Sequence, residues 1–142
     1  MIEALYRNTC SEVSVYCLSR ANLGRSVDEL SAVFAAFQVL AETVNSLRLN
    51  GICRTVSLIG ALDLLPSGVQ ASLRRIESQG DAGTGTGVHL NLLICYDAWD
   101  EVRAATSKNG VAISIEDLWV RTTVDAIIRT GGGFLTSGLL PL

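Results

Sequence analysis

No block of lysine or arginine and no basic stretch with interleaved aromatics occurs in this chain of 142 residues. With a formal net charge of −3 and a pI near 5.0 it has nothing to follow a phosphate backbone, which argues against nucleic-acid binding. Long unbroken apolar runs are missing too. The longest candidate, residues 30–49, is interrupted by Gln38, Glu42, Asn45 and Arg48, so no transmembrane segment is expected. Residues 1–9 carry Glu3, Arg7 and Asn8, unlike a secretory signal. The four cysteines, Cys10, Cys17, Cys53 and Cys95, form no CxxC pair and no metal-ligand spacing. Three of them lie in or beside apolar runs, so buried reduced thiols and a cytoplasmic location are expected. The one histidine, His89, has no cysteine or carboxylate spaced to make a triad with it and reads as structural.

What is present is apolar. Hydrophobic residues make up 49%, charged residues 18%, and mean hydropathy is +0.37. A chain of this length fits one domain, which either buries much of itself or hides an apolar face against a partner. Strand-like and helix-like segments alternate. Residues 13–18, 55–60, 88–96 and 124–129 are short apolar runs rich in β-branched residues and read as strands. Ser26 with Glu29 three residues on is a capping-box pattern. It opens a helix whose Leu30, Val33, Phe34, Phe37, Leu40, Val44 and Leu47 share one face, with Gly51 as its stop. Pro66 and Ser67 introduce a second helix with Val69, Leu73 and Ile76 inward. Further helical segments read over 2–9 and 99–108, with a helical turn from Ser114 to about Arg121. The alternation predicts an α/β fold, a parallel sheet of about four strands with flanking helices joined by right-handed crossovers. A four-stranded parallel sheet this apolar needs more cover than the chain supplies, which points to a partner.

The richest stretch chemically is 124–133. An apolar run ends in Arg129, Thr130 and three glycines, Gly131, Gly132 and Gly133. A fixed cation and exposed backbone N–H groups at a strand's carboxyl end suit a phosphate or diphosphate. The alternative is a strand leaving the core through a flexible glycine turn. In a parallel sheet all carboxyl ends face one way. That rim gathers Ser19, Arg20, Asn22 and Arg25 after the first strand, and Tyr96, Asp97, Trp99 and Asp100 after the third. Arg129, Thr130, the glycines and Ser137 follow the fourth. The Gly83–Gly87 loop precedes a strand, so it is a connection rather than a phosphate loop. Asp97, Asp100 and Glu101 are metal-ligand types, but Asp100 and Glu101 read first as acids in a helix's first turn.

These segments, in this order, resemble the cis-prenyltransferase family of the undecaprenyl diphosphate synthase type. The family stretch LTLYAFSxENWxRP is similar to 13–26, with Ser19, Asn22 and Arg25 on its serine, asparagine and arginine. The R-hydrophobic-IGD segment resembles 54–60. The LNIAINYGGRxEI segment resembles 90–96 with Glu101 and Val102, and VDLxIRTGGExRLSxFLLW resembles 124–142. The departures are specific. The family's N-terminal Asp-Gly-Asn-Arg-Arg loop, whose aspartate holds Mg²⁺, and its C-terminal segment have no counterpart. Gly133 stands at the glutamate after the glycines, Leu135 at the next arginine and Leu23 at the tryptophan. Tyr96-Asp97-Ala98-Trp99 replaces Tyr-Gly-Gly-Arg.

The resemblance implies one domain over 1–142, a shortened cis-prenyltransferase-type fold. It puts Asn22 and Arg25 in catalytic positions. Ser19, Arg129, Thr130, Gly131, Gly132 and Ser137 fall in positions that bind an isoprenyl diphosphate. No residue takes the metal role, so Mg²⁺ is expected only if a partner supplies the ligand. Three functions follow. The first is a non-catalytic or accessory subunit that associates with a complete cis-prenyltransferase subunit or with its own copy. The second is an active transferase making a short-chain, irregular or cyclised product, with Asp97 or Asp100 in the metal role. The third is an inactive fragment.

Overall fold

The structure, a computed structural model, describes residues 1–78, 87–109 and 113–128. Within them run α1 (Ile2–Arg7), β1 (Glu12–Ser19), α2 (Val27–Leu49), β2 (Cys53–Ile59), α3 (Ser67–Ser78), β3 (Val88–Tyr96) and α4 (Ala98–Asn109). Single 3-10 turns lie at Arg20–Gly24, Leu62–Leu64 and Ile115–Asp117.

The described sheet has three strands, all parallel, in the order β1-β3-β2. The last of the three in sequence is central. Its run is apolar on both faces because it is covered on both, and all but His89 of its residues are buried. Leu90 is flanked by Val13 on one side and Val56 on the other. One face of the sheet packs Val56, Leu90, Leu92 and Ile94 against Phe37 and Val44 of α2 and Leu73 and Ile76 of α3. Ile59, Leu93, Tyr96, Ala98 and Val120 form a smaller core.

α2 begins where its residues require. The Ser26 hydroxyl accepts from Glu29 N at 3.4 Å and the Glu29 carboxylate accepts from Ser26 N at 3.2 Å, completing the capping box. It ends at Asn50, and Gly51 takes the left-handed φ of +67° that closes the turn. At 23 residues and a hydropathy of 1.3, α2 is long and apolar enough, by length and composition alone, to cross a membrane. This differs from the sequence expectation, which weighed its polar interruptions. In the fold it is the crossover from β1 to β2.

The expected fourth strand is not formed. Residues 124–128 are exposed and unpaired, with Ile127 61% and Ile128 62% accessible. β propensity alone makes no strand; backbone N–H and C=O groups need a neighbouring ladder. Both edges of β3 are taken, and 124–128 meets neither free edge of β1 nor that of β2. The first helix also stops two residues earlier than the pattern suggested, at Arg7. The apolar residues 139–142 lie outside the described residues.

Two polar features hold the strands and the 118–120 segment in place. Thr55 Oγ1 lies 2.6 Å from His89 Nδ1, and His89 Nε2 lies 2.9 Å from Asn91 Oδ1. The Asn91 amide donates to Glu12 Oε1 at 2.6 Å and Ser14 Oγ at 3.2 Å. Because Asn91 Oδ1 only accepts, the ring proton sits on Nε2, and Thr55 donates to Nδ1. His89 thus ties β2 to β3 and, through Asn91, to β1, the structural role its sequence context suggested. The second feature is Glu101, only 2% exposed. Tyr96 donates its hydroxyl to Glu101 Oε2, while Glu101 Oε1 accepts from Trp119 N at 2.6 Å and Val120 N at 3.0 Å. Tyr96 stacks edge-on with Tyr16 and Trp119 at centroid distances of 6.0 and 6.2 Å. Glu101→Gln keeps the volume but turns an amide donor toward one of three donors. The expected loss is roughly 2 kcal/mol, and roughly 3–4 kcal/mol for Glu101→Ala, read as a fall in urea midpoint with a change in Trp119 fluorescence.

Candidate active site at the carboxyl end of the sheet

Parallel pairing delivers three loops to one end: Arg20–Gly24 after β1, residues 60–65 after β2 and Asp97 after β3. The first is built by its own polar residues. Ser19 Oγ accepts from Asn22 N at 3.2 Å, capping the 3-10 turn, and Arg25 N donates to Asn22 O at 3.2 Å. Ser19, Asn22 and Arg25 therefore share one turn, as the sequence pattern proposed. The Arg25 guanidinium is exposed and lies 3.5 Å from Glu29. Arg129, Thr130, Gly131, Gly132 and Ser137 lie outside the described residues, as does most of the Gly83–Gly87 loop.

The contact that sequence reasoning missed crosses the rim. Arg20 pairs with Asp100 in the first turn of α4, and Asp100 Oδ1 also accepts from Arg103 at 2.8 Å. The hydrogen bond to Asp100 raises the Arg20 pKa, helped by the fields of Asp97 and Asp63. The sequence placed these residues on one rim but, with 80 positions between them, gave no sign that they bond. Asp97 is also occupied, since its Oδ1 accepts from Trp99 N at 2.8 Å. Among the described residues no three His, Cys, Asp or Glu side chains come together as a metal site. With both Asp100 oxygens on arginines and one Asp97 oxygen capping a helix, these two acids do not fit a Mg²⁺ site.

The strand ends are tightly joined. Gly60 has φ +124°, and a Cβ there would overlap the Ile94 carbonyl oxygen. Cys95 adopts φ +51°, and its carbonyl accepts from Ala61 N at 3.4 Å. A cleft of about 550 Å³ opens beside Gly60, between β2, α4 and residues 117–121. A second, mostly apolar cleft of about 510 Å³ lies between α4 and residues 113–124. Neither is lined by Ser19, Asn22 or Arg25.

Comparison with known proteins agrees with the fold and the motif order. The family model described as putative undecaprenyl diphosphate synthase matches residues 1–141. Isoprenyl transferase 1 of Corynebacterium glutamicum is 36% identical over 121 residues, covering 81% of this chain and 51% of the relative. Isoprenyl transferase 1 of Corynebacterium diphtheriae is 38% identical over an alignment of 148 residues, covering 90% and 54%. The chain thus spans about half the length of these curated relatives. The crystal structure of a probable undecaprenyl diphosphate synthase from Campylobacter jejuni superposes with a TM-score of 0.84 at 22% identity, over 98% of this chain and 69% of that one. At that identity the likeness is one of fold.

Burial pushes the Cys95 thiol, at the rim, up to about 11 and the Cys17 thiol, in β1, up to about 12, from a usual value of 9.0. A folded-state pKa above the unfolded one stabilises the fold fully below the unfolded value, and that contribution is lost as pH rises through the folded value. Stability should therefore fall between about pH 9 and pH 12, by roughly 2 kcal/mol per thiol at pH 10.5. Urea midpoints across that range should show the slope, and Cys17→Ala with Cys95→Ala should reduce it, leaving the part due to buried Cys53, Tyr16 and Tyr96, whose pKa values burial also raises.

Proposed function

We propose a function from one premise: the chain belongs to the undecaprenyl diphosphate synthase family, the cis-prenyltransferases. In this reading it is an accessory subunit. It associates with a complete prenyltransferase subunit, holds an isoprenyl diphosphate and does not carry out prenyl transfer alone.

The observation that carries this is the Arg20–Asp100 bridge. Prenyl transfer expels diphosphate from an allylic carbon, and the departing charge must be met by unpaired cations and a metal. On the described rim Arg20 is held by Asp100, with Asp63 and Asp97 adding negative field. Asp97 and Asp100 are themselves engaged, so Mg²⁺ has no ready ligands here. Arg25 differs. Its pair with Glu29 is exposed and long, and such pairs are worth little, so Arg25 is free to turn toward an anion. Asn22, half-buried beneath it, adds an amide. The family resemblance gives Arg129, Thr130, Gly131, Gly132 and Ser137 the same diphosphate-binding role, so this reading is of a chain that binds one diphosphate without meeting the charge of the transition state.

Three measurements test this. The purified chain, given dimethylallyl and isopentenyl diphosphates with Mg²⁺, should form no product. It should co-elute with a complete prenyltransferase of the same host. Arg129→Ala should weaken isopentenyl diphosphate binding at least about tenfold, a loss of about 1.4 kcal/mol. Turnover by the chain alone would replace this reading with that of an enzyme of altered product.

A further inference from the structure

Far from this rim, at the amino end of β2, the last turn of α2 holds an arginine without a counter-ion among the described residues. All three guanidinium nitrogens of Arg48 are shut off from solvent, and none has an oxygen or nitrogen as hydrogen-bond partner. Asn45, one turn earlier on the same helix face, has its Oδ1 buried and equally unpartnered. Helical side chains lean toward the amino end, which brings the Arg48 head over Asn45. The four ion pairs among the described residues do not include Arg48. Its titratable neighbour is Cys53, 2% exposed, whose thiol burial pushes up despite the arginine's opposing field and its weak hydrogen bond to the sulfur. A neutral thiol supplies no countercharge.

A buried guanidinium without a counter-ion is costly, and a ligand that relieves it binds with the free energy so released. The pattern of unmet groups is specific: three donors on a cation beside one acceptor. A planar guanidinium matches two oxygens of a tetrahedral oxyanion. The acceptor selects an anion that also carries a hydroxyl. We propose that Arg48 and Asn45 form a binding site for inorganic hydrogen phosphate, whose oxygens take the guanidinium and whose P–OH donates to Asn45 Oδ1. Both residues are half-buried overall, so the buried polar atoms lie close to the surface. This site lies at the opposite end of the sheet from the proposed diphosphate site and stands independently of it.

Thermal unfolding of the full chain tests it, with sodium phosphate, sodium sulfate and methyl phosphate compared at equal ionic strength and pH 7.5. Phosphate at a hundredfold excess over Kd should raise Tm by about 9 °C in the native chain and in Arg129→Ala, but not in Arg48→Met. Sulfate and the monoester dianion, which lack the hydroxyl, should do markedly less. Titration followed at the Arg48 Nε–H resonance should show a saturable shift with phosphate, and it decides the question if Arg48→Met fails to fold. A phosphate effect that survives Arg48→Met, equal effects of sulfate and phosphate, or an unmoved Arg48 resonance would overturn the proposal.

Discussion

β3 has to accept neighbours on both edges and helices or loops on both faces, and the rest of the architecture is arranged around that demand. Its buried side chains supply the centre of the main core through Leu90, Leu92 and Ile94, and Leu93 and Tyr96 anchor the smaller one. Because β1 and β2 both run parallel to it, each must return through a crossover helix. The loops after all three strands are then gathered at one end. The candidate site is a consequence of that topology rather than of any local motif. The tight approach of Gly60 to Ile94 shows how little room the strand ends leave.

Charge at that end follows a different logic. Among the described residues the rim carries two cations, Arg20 and Arg25. It also provides the carboxylates that answer them. Asp100 lies between Arg20 and Arg103 and is 19% exposed, so its bridge is better shielded than the exposed Arg25–Glu29 pair. The first holds the β1 loop against α4; the second yields to a competing anion. One rim thus contains a fixed strut and an adaptable cation.

Much of this was legible in the residues. The nine-residue strand at Val88–Tyr96 has the bounds its apolar run suggested, and Val69, Leu73 and Ile76 are buried as their spacing required. The Ser26–Glu29 box starts α2 as read. These are short-range patterns, in which each residue's environment is set by neighbours a few positions away. What escaped was long-range or depended on a partner. Arg20 and Asp100 meet across 80 positions, and no local signal separates a bridging aspartate from a solvated one. Glu101 does sit in the first turn of α4, yet it is a buried acceptor for Tyr96, Trp119 and Val120 rather than an exposed acid. Residues 124–128 carry strand chemistry but find no ladder among the described residues, where the sheet has three strands.

The two ends of the sheet make opposite use of arginine. At the carboxyl end the described guanidiniums face carboxylates close to water, where pairing costs little desolvation. At the amino end Arg48 is dry and unpaired, a condition that is unfavourable unless something offsets it. A helix C-terminus favours a cation, and Arg48 lies in the last turn of α2, so the macrodipole recovers part of the cost. That term is about 0.3–1 kcal/mol for exposed groups and up to about 2 kcal/mol when partly buried, less than the several kcal/mol that burying a lone charge demands. The remainder must come from the surrounding packing or from an ion. Since Cys53 is a neutral thiol and no carboxylate among the described residues pairs with Arg48, the unmet balance is largest at the amino end of the sheet, not at the rim where the family's motifs lie.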